Sequence, residues 1–354
     1  MKKLLVKTAL FILPVLLLHA FFLVFYTTDK GDLLRVGYII DNLNYNYATV
    51  FKHEISEKKT YTPNLSDLNL GEINTFDVLN VGDSFSAQGA FSYQNYLSAI
   101  GGLKILNFDK FISDNPIKSV YSILKGDFLN KVKVNYIILE SVERGFILRS
   151  QLLDTSATMN IDSIIKGYKK NMLQKEKEKV DYLFFSKAIL TFPLINILYN
   201  INEKPLNAET YVVKTTKQLF SVDRSSLLFS SEDLERVKMY NKLEYFNKLN
   251  EDLNILAERL KEKDIKLIVL SCPDKYTLYY NYIVNKVPYP KPIFFDIMRK
   301  LPKKYLYVDA KQIFEKEILR SKDIYFYDDT HWSPKGAKIV AKEIAQLIKE
   351  NPTE

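Results

Sequence analysis

The sequence predicts an α/β domain built on a parallel sheet with crossover helices, and three observations carry that reading. Short strand-like runs recur at 77–81, 103–108, 134–140, 265–271 and 304–308. Helical patterns lie between them, which is the alternation that parallel strands joined by crossovers require. The chain has 354 residues and 47% hydrophobic content, enough to bury a full core in one large domain, or in one domain plus an insertion.

The elements follow in order. Thr8 to Tyr26 is almost uninterruptedly apolar and is preceded by Lys2, Lys3 and Lys7. At about 1.5 Å per residue it nearly matches a hydrocarbon core of ~30 Å, and the positive flank belongs on the cytoplasmic side. Residues 1–29 therefore read as an uncleaved anchor with the rest of the chain facing outward. A cleaved signal peptide is the alternative, but bulky Phe21, Phe22, Phe25 and Tyr26 stand where small residues would mark a cleavage site. Residues 30–75, rich in Asn and Tyr with little periodicity, read as a loosely organised lead-in to a domain over 76–350.

In that domain Asp77 to Val81 is a short strand, followed by Gly82-Asp83-Ser84 and a helix around Phe91 to Ile100. Residues 150–230 break the alternation and read as a mostly helical insertion. Lys166 to Lys179 is a charge-dense helix, ordinarily a solvated face. Leu183 to Tyr199 is apolar but interrupted by Lys187 and Pro193, which favours a lid or an interfacial patch for a membrane partner over a second span. An even number of spans would separate the two halves of the chain across the membrane. A long helix then runs from Ser231-Glu232-Asp233 to about Lys263, its stripe of Leu249, Leu253, Leu256 and Leu260 facing the sheet. Ser333 reads as the N-cap and Pro334 as the first residue of a closing helix striped by Ala337, Val340, Ile344 and Leu347.

The chemistry turns on three histidines. A serine nucleophile normally depends on a group that passes a proton near neutral pH, and histidine is that group. His19 lies in the apolar N-terminal run and His53 in a charged stretch without a serine motif. His331 alone has an acid two residues away, in Asp329-Thr330-His331-Trp332, on the loop entering the closing helix. Ser84, on a strand-to-helix turn, would be exposed at the carboxyl edge of the sheet near backbone N–H groups able to stabilise an oxyanion. A Ser84/Asp329/His331 triad is the leading expectation. The bland alternatives are an ordinary Gly-Asp turn and a helix cap with a satisfied histidine.

Gly82-Asp83-Ser84-Phe85-Ser86 near the start and Asp329-Thr330-His331-Trp332 near the end resemble the SGNH hydrolase-like superfamily. The nearest likeness is to its alginate O-acetylation branch of AlgJ and AlgX type, the DHHW proteins. The resemblance implies a flavodoxin-like α/β/α three-layer sandwich and a Ser-His-Asp triad used for acetyl transfer onto exported polysaccharide. It also implies a multi-pass membrane-bound O-acyltransferase as the partner that passes the acetyl group outward. In this branch the acid precedes the histidine by two positions, selecting Asp329; the wider superfamily's Asp-x-x-His would select Asp328. Glu140 and Arg144, at the end of the Tyr136 to Val142 run, and Lys275, after Pro273-Asp274, resemble segments of the branch. With Trp332 they are candidate substrate or oxyanion contacts, an ordinary ion pair at strand ends being the alternative for Glu140, Arg144 and Lys275. A Gly-x-Asn-Asp segment, which supplies the oxyanion asparagine in the wider superfamily, is missing.

Composition excludes other classes. The formal charge of +8 is mild, and no basic cluster interleaved with aromatics suggests nucleic-acid binding. A weakly positive surface would suit an anionic polymer or membrane headgroups. The single Cys272 sits in an apolar strand and reads as a small core residue. No Gly-rich phosphate loop and no metal-ligand spacing is present, so neither cofactor nor metal is expected. The reading is a membrane-anchored O-acetyltransferase acting on a glycan outside the cytoplasm. Its alternatives are a polysaccharide acetylesterase with the same triad, or a silent glycan-binding or scaffold protein.

Overall fold

A computed structural model describes residues 2–25, 33, 36, 45–68, 72–108, 115–156, 158, 160, 195, 197–206, 208–222 and 224–353. Each sequence-predicted strand is present: β2 (Val78–Val81), β3 (Ile105–Phe108), β5 (Tyr136–Val142), β8 (Lys266–Cys272) and β9 (Leu306–Asp309). Short β1 (Asn74–Thr75) and β4 (Val132–Lys133) pair with each other, and β6 (Thr210–Lys214) and β7 (Ser226–Ser230) form a separate antiparallel hairpin. The five long-range strands make one sheet, parallel throughout, in the order β3-β2-β5-β8-β9.

Side-chain alternation along these strands builds two cores. Val78, Ile105, Ile138, Ile268 and Leu270 face one layer, with the helices Tyr93–Gly101, Ala310–Ile318 and Pro334–Glu350. Leu79, Val81, Ile137, Leu139, Leu267 and Val269 face the other, with Pro116–Lys125, Glu143–Gln151 and Leu243–Lys261. The result is an α/β/α three-layer sandwich, the arrangement that lets a parallel sheet bury both faces. The helix after β2, Tyr93–Gly101, packs on one face and the helix after β5, Glu143–Gln151, on the other. A crevice therefore opens beyond the carboxyl ends of these two strands, where open α/β sheets bind ligands.

The helix expected from Ser231 to Lys263 is two helices, Ser231–Tyr240 and Leu243–Lys261. The break is tertiary: Asn241 leaves the helix to donate its side-chain amide to Lys291 O (3.0 Å) and accept from Ile293 N (3.2 Å). The closing helix starts as its local chemistry dictates, with Ser333 Oγ accepting from Lys335 N and Gly336 N. At the N-terminus Lys2–Phe25 is one helix, the one stretch among the described residues long and apolar enough to cross a membrane. The charge-dense helix expected at 166–179 and most of the apolar patch expected at 183–199 lie outside the described residues.

The lead-in carries more structure than its weak periodicity signals. Short helices Tyr47–Val50 and Lys52–Ser56 present Phe51, wholly buried, and Tyr47 to the loop before the closing helix. Tyr47 stacks on Phe326 at 4.7 Å between ring centroids, and Phe51 meets the same ring edge-on at 5.4 Å. Contacts so distant in sequence leave no periodic trace.

Candidate active site

Ser84 opens a single 3-10 turn, Ser84–Ser86, directly after β2, and the turn is fixed from below by buried side chains. Asp83 caps it, its carboxylate accepting from Phe85 N (3.2 Å), Val142 N (2.9 Å) and Arg149 Nη1 (2.6 Å). Burial pushes the Asp83 carboxyl up, but the Arg149 charge and these bonds take it below its ordinary value. Glu140 accepts from Asp83 N (2.9 Å) and Ser86 Oγ (2.7 Å). Its carboxyl is pushed well up, by burial first and then by the Asp83 charge beside it. One of the two neighbours stays ionised and the other neutral, as close carboxyls in a dry setting must.

Gly82 is where this web leaves no room. A Cβ built there would lie 2.1 Å from Ser86 Oγ and 2.4 Å from Glu140 Oε2. The glycine is required by close approach of side chains to the backbone, not by an unusual φ.

His331 sits on a tight hairpin. Tyr325 and Trp332 bridge antiparallel, Phe326 N donates to His331 O (3.1 Å), and Ser333 N donates to Ile324 O (2.9 Å). Within it Asp329 Oδ1 accepts from His331 N (2.9 Å) and lies 2.5 Å from His331 Nδ1. Burial raises the Asp329 carboxyl, and the His331 imidazole more than offsets this, holding it down at about 2. His331 Nε2 is buried without a hydrogen-bond partner. Asp328 points elsewhere: its carboxylate accepts from the Tyr47 hydroxyl, and burial pushes it up to about 6.

The serine turn and the histidine hairpin pack together. Phe85 lies 4.8 Å, centroid to centroid, from both the His331 and Trp332 rings, and Gln88 Nε2 donates to Trp332 O (3.3 Å). Ser84 is half-buried, and no hydrogen bond joins its hydroxyl to His331 in this structure. Catalytic hydrogen bonds are often long in unliganded enzymes and tighten with substrate.

The four residues expected as substrate or oxyanion contacts bond to or pack against protein groups in this structure. Glu140, Lys275 and Trp332 have no exposed surface. Glu140 holds the serine turn as described. Lys275 Nζ donates to Phe326 O (2.9 Å) and Tyr327 O (2.7 Å), fixing the backbone before Asp329. Burial lowers its ammonium to about 7, against the pull of the Asp328 and Asp329 carboxylates. Arg144 pairs with Asp274 and, at 3.4 Å, Asp233, its backbone N–H also bonding Asp274 (2.9 Å). Trp332 seals the core under Phe85, edge-on to Tyr93 (6.0 Å) and Phe314 (5.9 Å). A polar residue at a strand end reads the same in sequence whether it meets ligand or backbone. Asp83, Arg149, Gln88 and Tyr47 were missed because their partners are remote in the chain. Among the described residues no group of three or more His, Cys, Asp or Glu is arranged to hold a metal ion.

Comparison with known proteins bears on this geometry. Residues 226–354 match the family model described as SGNH hydrolase-like domain, acetyltransferase AlgX. Over those residues the chain is similar to an SGNH hydrolase-like domain. A curated relative of the SGNH-like chain is the probable alginate O-acetylase AlgJ of Pseudomonas fluorescens, 27% identical over 124 residues, 32% of this chain and 32% of that protein. The chain thus spans about a third of the relative's length. Both likenesses support the alginate O-acetylation branch. The family match spans the Asp329-His331 hairpin of the SGNH-like domain but begins after Ser84. No solved structure matches the chain.

Beside the site, the Glu143 carboxyl accepts from Asp274 N (3.3 Å) and is pushed up to about 8, by burial first and then by the Asp274 charge. An unfolded glutamate titrates near 4.5, so this group's contribution to stability is full below pH 4.5 and is lost as pH rises from there through 8. Glu143→Gln keeps the acceptor and removes the titration. Thermal unfolding from pH 5 to 8 should show the wild type losing on the order of a few kcal/mol relative to the variant. Parallel pH profiles for the two proteins would contradict this.

Proposed function

We propose that the chain is a membrane-anchored serine O-acetyltransferase that modifies an exported or cell-surface polysaccharide on the extracytoplasmic side of the membrane. The observation that carries the reading is the Asp329-His331 pair, 2.5 Å apart, whose outer nitrogen is unpartnered beside the turn bearing Ser84. The similarity to alginate O-acetylation proteins supports the choice of reaction.

In this reading Asp329 accepts a hydrogen bond from the Nδ1–H of His331 and holds the tautomer whose Nε2 takes a proton. The Ser84 hydroxyl attacks the donor's acetyl carbonyl while His331 Nε2 accepts its proton. The Ser84 N–H faces the developing oxyanion. Collapse expels the donor's leaving group, which takes the proton from His331, and leaves acetyl-Ser84. A glycan hydroxyl, deprotonated by His331, attacks the acetyl-Ser84 carbonyl; collapse breaks the bond to Ser84, whose oxygen regains the proton from His331, and the acetylated glycan leaves. Acetyl-CoA is confined to the cytoplasm, so the donor is an acetyl group passed outward by a multi-pass membrane-bound O-acyltransferase.

Hydrolysis differs only in letting water replace the glycan hydroxyl, and one assay separates the two. Full-length protein in detergent, given a small acetyl ester, should transfer acetyl to an added oligosaccharide, seen as a mass gain on the sugar. Acetate release alone, unchanged by acceptor, would make the protein an esterase, and no turnover of any ester would favour a silent binder. The anchor has its own test. A reporter fused after Asp29 should be exported while intact mass retains the N-terminal residues; a mature protein lacking Met1 to Tyr26 would mean a secreted form instead.

A further inference from the structure

A cavity of about 290 Å³ opens beyond the carboxyl ends of β2 and β3, lined by Gly82, Asp83 and Ser86 of the serine turn. Its volume is near the lower end of small-molecule sites, about 300 Å³, the scale of one sugar ring. The outer wall is the lead-in: Asn64 bridges Asn107 of β3, Asn107 N donates to Pro63 O (2.9 Å), and exposed Tyr61 stands at the rim. This wall and the ends of β2 and β3 surround a space beside the turn that bears Ser84.

The polar side chains of the lining are amides and hydroxyls, with one carboxylate. Among its described residues there is no Lys, Arg or His. Its one carboxylate, Asp83, is committed to Arg149 and two backbone N–H groups. Two of its amides are incompletely satisfied. Gln94, wholly buried, donates through Nε2 to Ser86 O (2.9 Å), and its Oε1 has no partner. Asn107 donates through Nδ2 to Thr62 O (3.2 Å) and Thr62 Oγ1 (2.7 Å), and its Oδ1 has no partner. Because each amide nitrogen faces a carbonyl, the orientation is fixed and both orphan atoms are acceptors. Buried acceptors left unpaired are costly, and what satisfies them is a donor such as a hydroxyl.

From this lining we infer that the cavity is the acceptor subsite for an uncharged, hydroxyl-bearing sugar residue of the polysaccharide. The inference rests on the O-acetyltransferase reading and deepens it by specifying the substrate's charge. A uronate carboxylate drawn into this cavity would lose its hydration and find no cation. The mild positive charge of the whole chain does not extend to this lining.

Binding of full-length protein in detergent to neutral gluco-, manno- and galacto-oligosaccharides, and to oligouronates of equal length, tests the inference by calorimetry and saturation-transfer NMR. At least one neutral oligosaccharide should bind tenfold or more tightly than the oligouronates. Asn107→Leu should weaken that binding at least tenfold, and Tyr61→Ala, at the exposed rim where folding is not at stake, several-fold. Ser84→Ala should bind like the wild type. Oligouronates binding as tightly, no neutral oligosaccharide binding at all, or binding indifferent to both variants would each overturn the subsite. Ester turnover persisting in Ser84→Ala would instead overturn the catalytic reading and leave the sugar-binding result standing.

Discussion

Ser84→Ala and His331→Ala should each reduce turnover of an acetyl ester at least a thousandfold, with the double variant little worse than either. Members of a nucleophile-base unit fail together, so their losses do not add. Asp329→Asn should also be severe. It replaces the carboxylate 2.5 Å from His331 Nδ1, held ionised down to about pH 2, with a group that stabilises neither the right tautomer nor the imidazolium. Asp328→Asn should be mild, because its side chain meets the Tyr47 hydroxyl, which can donate equally to an amide oxygen. Steady-state kinetics on the four single variants and the double variant give the ranking. Full activity in folded Ser84→Ala would remove serine chemistry, and Asp328→Asn worse than Asp329→Asn would reverse the assignment of the acid.

Gly82→Ala should be nearly as damaging without touching a reacting group. The added methyl meets Ser86 Oγ at 2.1 Å and Glu140 Oε2 at 2.4 Å, and the Glu140 side chain has nowhere to go inside the sheet crevice. Relieving the overlap breaks the Ser86-Glu140 and Asp83-Glu140 bonds, at roughly 2 to 4 kcal/mol for over-packing and lost buried bonds together. Ser84 moves with the turn, and a displacement of about 1 Å costs on the order of a hundredfold in rate. Thermal unfolding and ester kinetics on one preparation read both effects. Activity above a tenth of wild type would show that the turn accommodates a Cβ.

The sheet and the closing helix were legible because their signals are local. Strand runs between helices gave all five strands of the main sheet within about two residues, and Ser333-Pro334 marked its helix by cap chemistry alone. Asp329 and His331 were legible for the same reason, two residues apart with one motif around them. Ser84 was visible as a turn after a strand, but nothing near it in sequence announces Glu140 and Arg149, which fix that turn from β5 and the helix after it. The Asn241 break escaped because a 3.6-residue periodicity runs through it, and tertiary capture of its amide decides the matter. The amide-lined cavity was invisible, since Thr62, Asn80, Gln94 and Asn107 form no motif until β2, β3 and the lead-in are side by side.

Tyr47 and Phe51 also limit where the polypeptide can be shortened. Severing the domain from its N-terminal apolar helix at any point beyond residue 51 would empty the seat of a wholly buried phenylalanine and strip Asp328, 7% exposed, of its hydroxyl donor. The damage would fall on the backbone immediately preceding Asp329 and His331. A soluble version that begins at the first strand of the sheet would therefore fold around an untethered histidine hairpin, and weak activity in it would report the cut rather than the enzyme.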